Sequence, residues 1–332
     1  MTSRILLSCV AVLCGAALAA CGDPSVAGAP PGEEGSGQAT SMVEGTAAGA
    51  DGRLFVREGT FTAQSATKPW SSWWLPLWDD FLFAPRDGEP APLQRYDSYT
   101  SRALNRPTSA AAYEHDKLYV DHGDGWAGRC SAWAFASILA PEPRAPVDRG
   151  GVHFRVSDLK ALLVESFDNV EGITQIGVRN RGLWSDDFMD IHPDRLHRVL
   201  QAELFQGGRP LIIDTDPGAE VWSLPVYRVT TIVTRDRTRS DLVHVRTFLT
   251  GASAHVDDLE YVGTLDEKHE YDYDLRGAWY DGGWFLVTGG EWTGSSRQDH
   301  PDYVIVMPHA PVQRSSLNTE IDVATVQKIV GP

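Results

Sequence analysis

The feature that most constrains this chain is a cysteine between a glycine-rich loop and a run of small apolar residues. The loop reads Asp-Gly-Trp-Ala-Gly-Arg from residue 124, Cys130 follows, and Ser-Ala-Trp-Ala-Phe-Ala-Ser continues to residue 137. Alanine favours helix and glycine favours loop, so the pattern predicts a helix that starts at or next to Cys130. Because its residues are apolar on nearly every side, we expect a central helix packed between neighbours.

A cysteine at a helix start lies near free backbone N–H groups and the positive end of the helix dipole. Both favour the thiolate, which is the nucleophilic form. We therefore predict that Cys130 is a nucleophile with a lowered pKa. The alternative is that Cys130 is a small buried hydrophobe, as most unpaired cysteines are.

The N-terminus has the pattern of an export signal. Residues 1–20 hold one basic residue and an apolar run that ends in small residues, which is typical of a secretory signal peptide. The sequence Leu-Ala-Ala-Cys-Gly from residue 18 resembles the lipobox of bacterial lipoproteins, which implies that Cys21 carries lipid. We expect an exported protein anchored through that lipid to a bacterial membrane, at the cell surface or in the periplasm.

Cleavage at the lipobox changes the cysteine count. Of the four cysteines, Cys9 and Cys14 leave with the signal and Cys21 is modified, so Cys130 alone remains in the folded part. No disulfide is then available to it, and a solitary thiol in an oxidising compartment indicates a chemical role.

Composition divides the rest of the chain in two. Residues 21–65 are rich in Gly, Ala, Pro, Ser and Glu and predict a disordered tether, whereas residues 66–332 are long enough for one two-lobed domain. The formal net charge of −16 argues against nucleic acid as a partner. A tryptophan-rich stretch with prolines, residues 68–83, predicts an extended arm laid across the domain.

Hydrophobic periodicity changes along the domain. Two segments, 156–166 and 192–205, have helical spacing, and later segments have the alternation of strands. The order of helices first and strands second predicts an α+β fold with a helical first lobe and an antiparallel second lobe. The predicted strands are 210–215, 225–234, 242–250, 259–262, 270–275, 284–288 and 303–307.

A cysteine that opens a central helix before an antiparallel sheet resembles the papain-like superfamily. A closer resemblance, spread along nearly all of the domain, is to the transglutaminase elicitor family of oomycetes and some bacteria. Residues 221–226 are similar to that family's Val-Trp-Asn-Gln-Pro-Val, with Ser223 and Leu224 in place of Asn-Gln. The segments that carry the resemblance are 68–76, 126–134, 142–143, 158–162, 190–197, 220–226, 289–292 and 300–303.

The resemblance implies a papain-like core and a protein-glutamine γ-glutamyltransferase. Such an enzyme forms a cysteine thioester with a glutamine side chain and passes the acyl group to a lysine amine, so its partners are protein substrates. A papain-like peptidase or a glutamine deamidase would use the same thiol, and the residues do not separate these activities. A third hypothesis is a surface binding lipoprotein with a silent cysteine.

Position selects the other site residues. His300 precedes a predicted strand after a polar loop, so we predict it as the base, ahead of His197 and several other histidines. As the carboxylate that orients this base we predict Asp302. The other candidates for that role are Asp299, Asp214 and Asp216. Three residues are assigned to substrate binding, with core packing as the alternative for the tryptophans: Trp126, Trp222 and Pro225.

Metal binding rests on resemblance alone. The family resemblance implies calcium, but the chain lacks an EF-hand loop of the required spacing, and we assign no metal ligand.

Overall fold

The computed structural model describes residues 46–48, 52–181, 190–309 and 311–331. The predicted signal peptide, Cys21 and most of the predicted tether lie outside the described residues. Where the chain is described, its helices are all too short or too polar to cross a bilayer.

Six α-helices form in the described residues, and two are prolonged by π-helical turns at Glu114–Leu118 and Gln201–Gln206. The fifth begins with Pro193, which suits a first helical turn, and buries Leu196, Val199 and Leu200 on one face. The helices are α1 (Pro92–Leu104), α2 (Ala110–Tyr113), α3 (Cys130–Leu139), α4 (Val156–Glu165), α5 (Pro193–Leu200) and α6 (Val323–Val330).

The strands form one large antiparallel sheet and two small two-stranded sheets. The large sheet has ten strands in the order β1-β2-β12-β11-β10-β9-β8-β13-β7, with β3 paired to β9, and the small sheets pair β14 with β6 and β4 with β5. In chain order the strands are β1 (Thr46–Ala48), β2 (Leu54–Val56), β3 (Gly59–Gln64), β4 (Val147–Arg149), β5 (Val152–Phe154), β6 (Asn169–Val170), β7 (Thr174–Gly177), β8 (Leu211–Asp214), β9 (Ser223–Arg235), β10 (Leu242–Ala252), β11 (Asp266–Tyr280), β12 (Trp284–Trp292), β13 (Tyr303–Val306) and β14 (Arg314–Ser315).

Residue alternation in the central strands divides the hydrophobic core into two. On β8, Ile212 belongs to the cluster that contains α3, whereas its neighbour Ile213 faces the cluster that contains α5. Tyr303 and Val304 alternate in the same way on β13. The sheet is therefore covered by the helices α1, α3, α4 and α6 on one face and by α5 on the other.

The predicted α+β class is confirmed, with helices packed against an antiparallel sheet. The predicted helices at 156–166 and 192–205 correspond to α4 and to α5 with its π-helical turn. Most predicted strands are present, but 259–262 is a turn and loop rather than a strand.

One boundary also needs correction. The tether was predicted to run to residue 65, yet β2 and β3 occupy residues 54–64. Leu54 and Val56 are fully buried against the sheet, and Gly59–Gln64 pairs with β9 through six residue pairs. This polar segment gains order from backbone pairing, which its composition does not reveal.

Candidate functional site

Cys130 is the first residue of α3, as predicted. Its side chain is only 4% exposed, and it is a free thiol. The sulfur donates a hydrogen bond to the carbonyl oxygen of Val221, over 3.2 Å. The residue thus lies where the helical layer meets the segment that leads into β9.

The tryptophan-rich arm of residues 68–83 fixes the loop before Cys130. Leu77 N donates to Ala127 O over 2.9 Å, and Arg129 N donates to Trp74 O over 2.9 Å. A side chain at Gly128 would come within 2.3 Å of the Trp74 ring, so only glycine allows this approach. The arm was predicted to be extended and laid across the domain, and it has this role.

Arg129, directly before Cys130, is held by three carboxylates. Its guanidinium lies 2.6 Å from Glu114, 2.7 Å from Glu165 and 3.3 Å from Asp168, and all four side chains are at most 5% exposed. Burial disfavours the charged guanidinium, but Glu165, Asp168 and Glu114 together raise its pKa. We call these four residues the arginine cage.

The C-terminal segment closes the arginine cage. Ser316 Oγ lies 3.3 Å from a Glu165 oxygen and 3.2 Å from an Asp168 oxygen, and Asn318 donates to Glu114 over 3.2 Å. Because these hydrogen bonds satisfy buried carboxylate oxygens, the cage joins the cysteine loop, α4 and the end of the chain into one polar network.

Two serines complete the immediate surroundings of the cysteine. Ser223 Oγ is 4.0 Å from the sulfur and 2.8 Å from Ser131 Oγ. Ser223 is the first residue of β9 and stands where the family pattern has asparagine. The departure noted in the sequence therefore falls beside the thiol.

The pKa of Cys130 is raised, which contradicts the prediction of a lowered value. Burial is the main cause; hydrogen bonds from Ser223 and Ser131 oppose it, and the Asp214 carboxylate raises the pKa further. The start of a helix does favour a thiolate, but here desolvation outweighs that effect. The resting sulfur is a protonated thiol.

Asp214 is the acidic group whose charge raises the pKa of the Cys130 thiol. It ends β8, is fully buried, and accepts a hydrogen bond from Trp222 N over 2.9 Å. Its Oδ2 makes no hydrogen bond within the described residues. Burial raises the pKa of Asp214 to about 7. The hydrogen bond from Trp222 N lowers the pKa, and the charge of Asp302 raises it further.

Asp214 and Cys130 also share a neighbour, Tyr303. Burial raises the pKa of the Tyr303 phenol, and the charges of Asp214 and Cys130 add to this effect. Cys130, Asp214 and Tyr303 are therefore close enough to influence one another, and Asp214 has a pKa suited to proton transfer near neutral pH.

His300 lies in a different set of contacts. Its Nδ1 is 2.9 Å from the Ser296 carbonyl oxygen, its Nε2 is 3.3 Å from Asp190 Oδ2, and its ring stacks on Trp292 at 5.0 Å. Among the described residues, the hydrogen-bond partners of Cys130 include no histidine.

The predicted pairing of His300 with Asp302 is not what the structure has, because Asp190 takes that place. Asp302 Oδ2 instead accepts the backbone N–H of Asn180 over 2.6 Å. Asp302 is fully buried, and burial raises its pKa to about 7, against the hydrogen bond from Asn180 and with a contribution from the charge of Asp190. The catalytic roles of His300 and Asp302 stay predictions.

The predicted substrate-binding residues lie at different distances from the thiol. Trp222 follows Val221 directly, and its ring packs on Trp74 at 5.2 Å. Trp126 is half-buried, with Arg179 over its ring at 5.1 Å. Pro225 is buried in β9 opposite Ile212, so its position is that of a strand residue.

Side-chain ligands for a metal ion would have to lie close together. No group of three or more His, Cys, Asp or Glu side chains there is arranged to hold a metal ion. We derive no step through calcium.

Sequence reasoning ranked Asp214 behind Asp302 and did not single out Arg129. The signal for Asp214 was its place at the end of an apolar strand, Leu-Ile-Ile-Asp, which predicts burial of the carboxylate. For Arg129 the signal was its position next to the cysteine, although its three partners come from distant parts of the chain.

Comparison with known proteins agrees with this site. Residues 122–248 match the family model described as transglutaminase elicitor. The crystal structure of the GP42 transglutaminase from Phytophthora sojae has a similar fold, with a TM-score of 0.61 and 20% sequence identity over 81% of this chain and 90% of that chain. No curated protein matches the chain. The matched residues 122–248 hold the Cys130 loop, α3 and β9, so the similarity to the transglutaminase elicitor family covers this site.

Proposed function

We propose that the chain is a protein-glutamine γ-glutamyltransferase with Cys130 as its nucleophile. The observation that carries the proposal is the position of Cys130 at the start of α3, in contact with Val221 O and Ser223, with the Asp214 charge acting on its thiol. The match of residues 122–248 to the transglutaminase elicitor family model supports the same reaction.

The first half of the reaction is acylation. The sulfur attacks the amide carbon of a glutamine side chain while Asp214 takes the thiol proton. The C–N bond then breaks, and ammonia leaves with the proton returned by Asp214. A carboxylate with a pKa of about 7 is suited to both transfers, because it is partly ionised at neutral pH.

Hydrogen-bond donors near the sulfur would stabilise the oxyanion that forms on the amide oxygen. The backbone N–H of Cys130 lies at the helix start, where the helix supplies it with no acceptor. The hydroxyl of Ser223 is a second donor within reach of the reacting atoms.

Access to the sulfur requires a local movement. Cys130 is 4% exposed, and its thiol proton is engaged in a hydrogen bond to the carbonyl oxygen of Val221. A substrate must therefore displace the Val221 carbonyl, while Trp222 stays packed on Trp74 and keeps water away from the thioester.

The test is incorporation of a fluorescent primary amine into a glutamine-rich protein, read on a gel. We expect wild-type incorporation, none with Cys130→Ala, and a loss of about two orders of magnitude with Asp214→Asn. Asp216→Asn, two residues away, is the matched control and should keep its activity.

Other outcomes would identify other reactions. Cleavage of peptide bonds without amine incorporation would establish the peptidase, and release of ammonia alone would establish the deamidase. Full activity of Asp214→Asn together with an inactive His300→Ala would return the role of base to His300.

We further propose that the protein is exported and held at a membrane through lipid on Cys21. This rests on the Leu-Ala-Ala-Cys motif alone. Lipid chains confer partition into detergent, so Cys21→Ser should move the protein to the aqueous phase of a detergent separation. An unchanged distribution would contradict the proposal.

A further inference from the structure

A small cavity lies next to the cysteine site. It has a volume of about 200 Å³, and Ser223 forms part of its wall. The same Ser223 hydroxyl is 4.0 Å from the sulfur of Cys130, so one side chain separates the cavity from the reacting atom. A group bound in the cavity would reach a thioester on Cys130 once Ser223 turns aside.

The cavity has two aromatic walls and one acidic wall. The rings of Trp222 and His255 lie 5.1 Å apart, and Glu267 lines the same space. The Trp222 indole donates to Glu220 over 2.8 Å, which fixes the orientation of its ring. An aromatic face and a carboxylate are the two features that attract an alkylammonium group.

Glu267 is held in place and ionised. Its Oε2 accepts a hydrogen bond from Ser253 over 2.8 Å, and its Oε1 lies 3.1 Å from His269 Nε2. Burial works against ionisation, but the hydrogen bonds from His269 and Ser253 lower the pKa of Glu267. Since each carboxylate oxygen has two lone pairs, the group retains acceptor capacity for a ligand.

We propose that this cavity is the acceptor-amine site and that it takes the side chain of a lysine. The inference rests on the proposed transglutaminase function. The four-carbon stem of the lysine lies along Trp222, and its ammonium group faces Glu267, beside His255. A net charge of −16 favours cationic protein partners at longer range.

The arrangement also provides for the proton that the acceptor must lose. An ammonium group has no lone pair, so its first proton passes to the imidazole of His255. The free amine then attacks the thioester carbon, an isopeptide C–N bond forms, the C–S bond breaks, and the second proton of the nitrogen goes to the departing sulfur. His255 releases its proton to solvent, to which it is exposed.

The kinetic test compares two acceptors of different charge. Nα-acetyl-lysine methylamide carries an ammonium group, whereas hydroxylamine is neutral and small. In Glu267→Gln the KM for the lysine acceptor should rise about fivefold or more, with the KM for hydroxylamine unchanged. The first-turnover burst of ammonia from a glutamine peptide without amine, which reports acylation alone, should also be unchanged. Glu270→Gln, on the same strand but outside the cavity, is the control for charge and should match wild type.

A binding test does not depend on activity. Butylammonium chloride is titrated into the protein, and the Cε1–H signal of His255 is followed by NMR with labelled histidine. We expect a saturable shift that Glu267→Gln abolishes and Glu270→Gln preserves.

The two proposals fail in different ways. No shift of the His255 signal, or an unchanged lysine KM in Glu267→Gln, would overturn the acceptor site even if the enzyme is active. A wild-type shift without ammonia release from the glutamine peptide would leave the ammonium site standing and overturn the transglutaminase function on which its role rests.

Discussion

The thiol of Cys130 and the carbonyl of Val221 form a hydrogen bond of 3.2 Å that only the protonated sulfur can donate. This contact requires a protonated thiol, in agreement with the pKa that burial raises. It also places the segment before β9 directly over the sulfur. A reaction at the sulfur therefore needs both a proton acceptor and a displacement of that segment.

Alkylation of Cys130 should be slow at neutral pH. The thiol is 4% exposed and protonated, and iodoacetamide reacts with the thiolate. We expect labelling at pH 7 to be at least about tenfold slower than that of a free cysteine, measured by mass spectrometry of the peptide that contains Cys130. The chain unfolded in urea is the control, and equal rates in the folded and unfolded chains would contradict the closed arrangement.

Asp214→Asn should stabilise the protein at alkaline pH. A carboxyl whose folded-state pKa lies above its unfolded value contributes stability that is complete at low pH and is lost as pH rises through about 7. Asparagine keeps the shape and the acceptor for Trp222 N but does not ionise. The gain in free energy of unfolding should be greater at pH 8 than at pH 5 by about 2 kcal/mol.

Denaturant titrations at the two pH values check this difference. Asp216→Asn, on the same loop, controls for the loss of one formal charge. A pH-independent effect of Asp214→Asn would show that Asp214 is ionised throughout this range.

Arg129→Met should be strongly destabilising. The substitution leaves three buried carboxylates without their cation, and removal of one partner from a buried ion pair costs about 3–5 kcal/mol. Arg129→Lys should lose less stability than Arg129→Met, because lysine keeps the positive charge although it lacks the planar arrangement of donors. Urea unfolding followed by tryptophan fluorescence measures both variants.

The control for the arginine cage is Arg239→Met. Arg239 pairs with Asp241 at 2.8 Å on the surface, where both side chains are about half exposed. That variant should leave the unfolding midpoint unchanged, because water already screens such a pair. An equal loss in Arg129→Met and Arg239→Met would mean that the buried network contributes nothing specific.

Ser223→Ala should lower kcat more than it changes KM for the glutamine substrate. The hydroxyl lies 4.0 Å from the sulfur and is a donor for the transition-state oxyanion, and loss of one such donor costs about a hundredfold in rate. Ser223→Asn restores the residue of the family pattern and should keep most of the activity. Steady-state ammonia release measures both, and a KM effect alone would assign Ser223 to substrate binding.

Local patterns in the sequence predicted the parts of the fold that depend on local physics. The Gly-rich loop and the alanines correctly predicted that α3 starts at Cys130. The alternation of apolar and polar residues predicted β9 and β10, with small errors at the ends of the strands. The strand at Gly59–Gln64 was missed because its residues are polar and its order comes from pairing with β9.

The candidate site was less predictable because distant segments assemble it. Cys130 was identified from its neighbours in sequence, but its raised pKa depends on burial that no local pattern reveals. His300 was paired with Asp302 because the two are close in sequence, but both precede β13, where no strand geometry puts them on one face. Asp190, which lies 3.3 Å from His300 Nε2, comes from a distant part of the chain, so closeness in sequence did not indicate it.

The arginine cage has a consequence for the order of events during synthesis. Ser316 and Asn318 contact Glu114, Glu165 and Asp168, so Arg129, the residue beside Cys130, acquires its final environment only when residues 316–318 have left the ribosome. Until then the loop before Cys130 lacks part of the polar network that holds Arg129 in place.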